Sequence, residues 1–117
     1  MIELFKLVRL PTTQKIRKII KILELLESEC VAFQSDLPYS DVLLSCDSFY
    51  IEGLCAHLAS IYSSDSAITA AVKNYTSALH AGTLTAGDYR VLFNMLRHAL
   101  YRQSGVQPSE WDLIAPG

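Results

Sequence analysis

From Gln14 onward, apolar side chains fall at Ile16, Ile19, Ile20, Leu23, Leu26 and Cys30. Steps of three and four residues gather them on one side of an α-helix and leave the other side polar. Strand signals are nearly absent from the chain, so this spacing predicts an all-α fold. Pro11, followed by Thr12 and Thr13, marks the helix start, because a hydroxyl there accepts one of the unpaired backbone N–H groups.

The rest of the chain divides in the same way. Asp36-Leu37-Pro38 reads as the next boundary, with Val42, Leu43, Leu44 and Cys46 continuing a short helix to Asp47-Ser48. A fresh cap there precedes Phe49, Tyr50, Ile51, Leu54, Leu58, Ile61 and Tyr62, a stripe broad enough for a central, well-buried helix. Ser63-Ser64-Asp65-Ser66 opens a helix over 67–81 rich in small residues, and Gly82 stands where a left-handed residue closes a helix. Thr85-Ala86-Gly87-Asp88 resembles a capping box with Asp in place of the preferred Glu. The helix it starts, from Ala86 to the neighbourhood of Gln103, is expected to bury Leu92, Met95, Leu96 and Ala99 and to stop before Gly105. Residues 1–10 fit a short helix or an extended arm, and Pro108-Ser109-Glu110-Trp111 a closing turn that folds Trp111 and Leu113 back. The expectation is a single domain over 1–117, a small irregular bundle of four main helices with short terminal segments.

Composition supports one core and no membrane span. The chain is 117 residues long and 50% hydrophobic, enough for one domain without metal or disulfide staples. No run approaches the roughly 18 uninterrupted apolar residues that a spanning helix needs. The opening residues interleave charges with apolar side chains and lack a secretory layout. Three cysteines, an odd number in apolar surroundings, fit a reduced, cytoplasmic protein.

Charge is segregated along the chain. Residues 1–21 carry six basic side chains (Lys6, Arg9, Lys15, Arg17, Lys18 and Lys21) against the single acid Glu3. Between Ile22 and Val72 there is no Lys or Arg, while eight acids occur. On the first helix Gln14, Arg17, Lys18 and Lys21 lie opposite the apolar stripe and form an outward basic face, with Leu25 at its centre. That helix is basic at its start and acidic at its end (Glu24, Glu27, Glu29), the reverse of what its macrodipole favours. Each misplaced charge costs about 0.3–1 kcal/mol, which packing or a function must offset. On the last helix Arg90, Asn94, Arg97 and Tyr101 recur as a second polar row, read either as a solvent face or as a docking stripe. Arginine forks hold phosphates and tyrosine stacks on unpaired bases, so the two rows would make an RNA-binding surface if they lay side by side.

No arrangement for catalysis emerges. His57, His80 and His98 fall on three different helices; Cys46, Cys55, His57 and His80 could converge on zinc, but Leu54 and Leu58 make Cys55 a core residue, so no metal and no cofactor are expected. Glycines are scattered rather than clustered in a phosphate loop. The chain is therefore expected not to be an enzyme by itself.

The segment Tyr89–Tyr101, followed by Gly105 and Glu110-Trp111-Asp112-Leu113, resembles the end of a helical region that precedes some SpoU/TrmH-type RNA 2′-O-ribose methyltransferase domains. Leu10-Pro11 and Lys15-Ile16-Arg17-Lys18-Ile19 are similar to its start. The resemblance implies an accessory domain cut from a longer chain and without the chemistry, since none of the methyl-donor motifs of that family is present. Its partners would be structured RNA or an RNA-modifying domain, with Arg17, Lys18, Lys21, Arg90, Asn94, Arg97 and Tyr101 as contact residues. The competing reading is a stand-alone helical adaptor or homodimer, to which apolar Leu4, Phe5, Leu7, Val8 and Leu10, with Ile22 and Leu25 off the main stripe, would contribute.

Overall fold

The computed structural model describes residues 12–105. It contains four α-helices: α1 (Thr12–Cys30), α2 (Ser48–Ile61), α3 (Ser66–Ala81) and α4 (Ala86–Ser104). Among the described residues there is no strand, only one isolated bridge between Pro38 and Thr85. The small all-α bundle expected from the apolar spacing is the observed fold. The readings of residues 1–10 and of the turn at 108–111 lie outside the described residues.

The α1 periodicity translates directly into burial, since Ile16, Ile19, Ile20, Leu23, Leu26 and Cys30 are each at most 5% exposed. The helix ends without a glycine, through a tightened turn. Val31, Ala32 and Phe33 donate their N–H groups to the carbonyls of Ser28, Glu29 and Cys30, three residues back.

Two local readings are corrected. Residues 36–46 do not form a helix; only Tyr39–Asp41 makes a single 3₁₀ turn. The backbone groups of this stretch bond across to the α3–α4 connection instead. Tyr39 N–H donates to Leu84 O, Ala86 N–H to Leu37 O and Gly87 N–H to Ser35 O, each at 2.9 Å. Gly87 is held so close that a Cβ there would sit 3.0 Å from Ser35 O. The second correction concerns the central helix. On α2 the buried side is narrow (Ile51, Leu54, Cys55 and Leu58), whereas Phe49 is 85% exposed and Ile61 41%. The central element is α4, which packs against α1 most extensively and against α3 next. It buries Tyr89, Leu92, Phe93, Leu96, Ala99, Leu100 and Tyr101.

The caps fall where the polar residues announced them. Asp47 accepts from Tyr50 N–H at 2.8 Å, and Asp65 from Ala67 and Ile68 N–H at 2.9 and 3.0 Å. Gly82 takes the left-handed conformation at φ 72°, open to glycine at no steric cost. Thr85 and Asp88 form the reciprocal capping box.

Asp65 does more than cap: Gln103 donates to its Oδ2 and Arg102 approaches to 3.9 Å, tying the end of α4 to the start of α3. The Gln103 bond first, and the backbone bonds with it, hold the carboxyl below its ordinary value of 3.8. Asp65→Ala is expected to destabilise the domain by about 1–2 kcal/mol, the range of a strong N-cap, in urea unfolding. A lowered carboxyl value makes that contribution complete above pH 3.8 and lost as pH falls through the folded value. The gap between parent and variant should therefore close in that acid range and nowhere else.

Candidate functional site

The polar row on α4 faces α1 over most of its length. Glu27, on the last turns of α1, accepts from Arg97 Nη2 at 2.7 Å and Nε at 3.2 Å through Oε2, and from Asn94 Nδ2 at 2.9 Å through Oε1. Both charged side chains are below 20% exposed. Tyr101 is 9% exposed, and the Arg97 guanidinium carbon stands 5.8 Å from its ring centre. Burial alone would weaken the hold of Arg97 on its proton, but Tyr101 and Glu27 reverse this and raise its value. A fork with both oxygens engaged at low exposure is a structural clasp. Arg97, Asn94 and Tyr101 are thus committed inside the domain, and only Arg90 of this row is exposed.

The clasp also fixes direction. Glu27 meets Arg97, while further along Ser35 and Leu37 meet Gly87 and Ala86, so α1 and α4 run antiparallel. At 1.5 Å per residue, Lys21 lies about 9 Å from Glu27 toward one end of the pair and Arg90 about 10 Å from Arg97 toward the other. The basic face of α1 and Arg90 are therefore about 20 Å apart along the helices. Arg90 belongs instead to an open cleft of about 460 Å³ lined also by Glu24, Glu27, Ser28, Val31, Asn94 and Arg97. At the other end, Lys18 and Lys21 are exposed, and Arg17 is half-buried with its Nε buried and unpartnered.

A second cluster, which periodicity did not find, surrounds the end of α1. The Glu29 carboxylate accepts from Ser45 N–H at 2.9 Å and also from the Ser45 hydroxyl. This contact holds the irregular 42–47 segment alongside α1. Outward apolar side chains lie near it in sequence: Leu43 two residues before Ser45 and Phe49 four after it, each 85% exposed, and Leu25, 48% exposed one turn before Glu29. Leu43 lines a groove of about 380 Å³ with Tyr39, Ser45, Asp47, Ser48 and Tyr89. The sequence places Leu43 in a short helix and Phe49 in a well-buried helical stripe; neither holds. The signal pointing outward was the density of loop formers around them, Pro38, Ser40, Asp41, Ser45, Asp47 and Ser48.

The titratable groups have structural environments. Burial pushes the Cys55 thiol up to about 12 and, with Glu29 and Glu27 adding to it, Cys30 to about 11. Such thiols stay protonated and make poor nucleophiles. His57 is lowered by burial and then by Lys15, and its Nε2 is buried without a partner. Among the described residues no group of three or more His, Cys, Asp or Glu is arranged to hold a metal ion, and no helix is long and apolar enough to cross a membrane. No family model, no curated protein and no solved structure matches the chain.

Removing either end of the clasp leaves a partly buried charge without its partner. Arg97→Met is expected to lower unfolding free energy by about 2 kcal/mol, in line with hydrogen bonds to charged groups. A double-mutant cycle with Glu27→Gln should return a coupling of about 1–3 kcal/mol, whereas a coupling near zero would reduce the pair to an ordinary surface contact.

Proposed function

We propose that this domain is a helical protein–protein interaction module that binds rather than catalyses, with its contact surface at the outer face of α1 and the adjoining 42–49 segment. The observation that carries this reading is the exposure of Leu25 on α1, four residues from Glu29, and of Leu43 and Phe49, close in sequence to the Ser45 that bonds Glu29. Apolar side chains gathered at one place and rimmed by polar groups favour a partner's surface. Asp47 lines the groove that Leu43 also lines, within a stretch that has no Lys or Arg between Ile22 and Val72. Buried, protonated thiols fit a binding role in a reducing, cytoplasmic setting.

A second reading, docking to structured RNA or beside an RNA-modifying domain, is favoured by one observation: Lys18 and Lys21 are exposed and form no ion pair among the described residues. It would rest on Arg17, Lys18 and Lys21 with the basic residues preceding them, because Arg97 and Asn94 are engaged by Glu27.

A photo-activated cross-linker placed at position 49, at position 21 or at the exposed Ser77 of α3 separates these readings in living cells. Protein adducts at positions 49 and 21, and none at 77, are the expected result. Adducts at 21 that nuclease removes and protease does not would favour RNA. Equal labelling at all three positions would overturn the proposed surface.

A further inference from the structure

We propose that the partner is a second copy of this chain, docked through the outer face of α1 so that the two α1 helices run antiparallel about a two-fold axis at Leu25. This inference rests on the interaction-module reading and names its occupant.

The exposed side of α1 presents Gln14, Lys18, Lys21 and Leu25, with the half-buried Glu29 completing the row. Basic groups occupy one end, an apolar group the middle and a carboxylate the other end. A two-fold contact uses the same patch on both subunits, so it needs a surface whose two halves complement each other. Centring the axis on Leu25 places each residue n opposite residue 50 − n of the second copy. Leu25 then meets the partner's Leu25, and Lys21 meets the partner's Glu29, four residues on either side of the axis.

Glu29 is ready for such a contact. Ser45 fixes its carboxylate in place. A carboxylate offers about four lone-pair sites, so capacity for an ammonium donor remains. Because Ser45 also anchors Leu43 at this end of α1, the methylene stem of the partner's Lys18 would have an exposed apolar side chain to lie against. The reversed charge order of α1 fits this arrangement. A basic start and an acidic end oppose the helix's own dipole, but an antiparallel neighbour sets each end against opposite charge and the opposite dipole end. A polyanion would satisfy only the basic half and be repelled by the acidic half. A basic peptide would satisfy only the acidic half. A second copy satisfies both.

One leucine pair and a few ion pairs make a small, salt-sensitive interface. Sedimentation equilibrium of the full chain, from micromolar to millimolar concentration, is expected to show a monomer passing to a dimer and no further, with the dimer weakened at high salt. Lys21→Glu and Glu29→Lys should each raise the dissociation constant by about tenfold or more, since each alone sets like charges face to face. Mixed together, the two variants should recover the dimer, because both contacts become complementary again. If Glu29→Lys fails to fold for want of its Ser45 bond, Leu25→Cys provides an independent reading. On the axis, it should form an intermolecular disulfide at least tenfold faster than Ser77→Cys. A strict monomer at every concentration, or equal cross-linking at positions 25 and 77, would overturn the dimer. Should the cross-linker at position 49 still capture a different protein under those conditions, the interaction module would stand and only its occupant would be wrong.

Discussion

The fork between Glu27 and Arg97 links the two longest helices and holds the polar row of α4 against α1. It sets that pair antiparallel and takes Asn94 into the same carboxylate. With α4 turned so that this polar row meets α1, the apolar residues of both helices close one core, and Tyr101 is drawn in beneath the guanidinium. The exposed residues of α1 lie opposite its buried side: Gln14, Lys18, Lys21, Leu25 and Ser28.

Much of the fold was legible in the sequence because its signals are local. The three- and four-residue spacing of α1, the Asp65 cap, Gly82 and the Thr85–Asp88 box each act within one or two helical turns, and each appears where it was read. The stretch from Asp36 to Cys46 failed for the opposite reason. Its backbone partners Leu84 and Ala86 lie more than forty residues away, and no local pattern reports them. Phe49 was misread because a stripe predicts which side of a helix is apolar but not how much neighbouring structure exists to cover its first turn.

The candidate site shows the same division. The outward basic face of α1, with Leu25 at its centre, follows from helical geometry alone. The row Arg90, Asn94, Arg97 and Tyr101 was also real as a row. Its neighbour, however, is a single carboxylate on another helix, and nothing in the spacing of α4 identifies Glu27. Sequence periodicity names a face; the tertiary partner determines whether that face is a binding surface or a clasp. Here α4 carries the clasp, and the exposed face lies on α1, beside the segment that Ser45 bonds to Glu29.

The most direct test of this account compares two arginines of the same helix. Arginine-side-chain nitrogen NMR reads the exchange of each Nε proton with water, and Arg90 provides an exposed internal reference for Arg97. With Glu27 accepting from Arg97 Nε and Nη2, the Arg97 Nε proton should exchange many times more slowly than that of Arg90, and Glu27→Gln should speed its exchange toward the Arg90 rate. Equal exchange at the two positions in the parent protein would mean that α4 does not hold its polar row against α1, and the assignment of inner and outer faces would be contradicted.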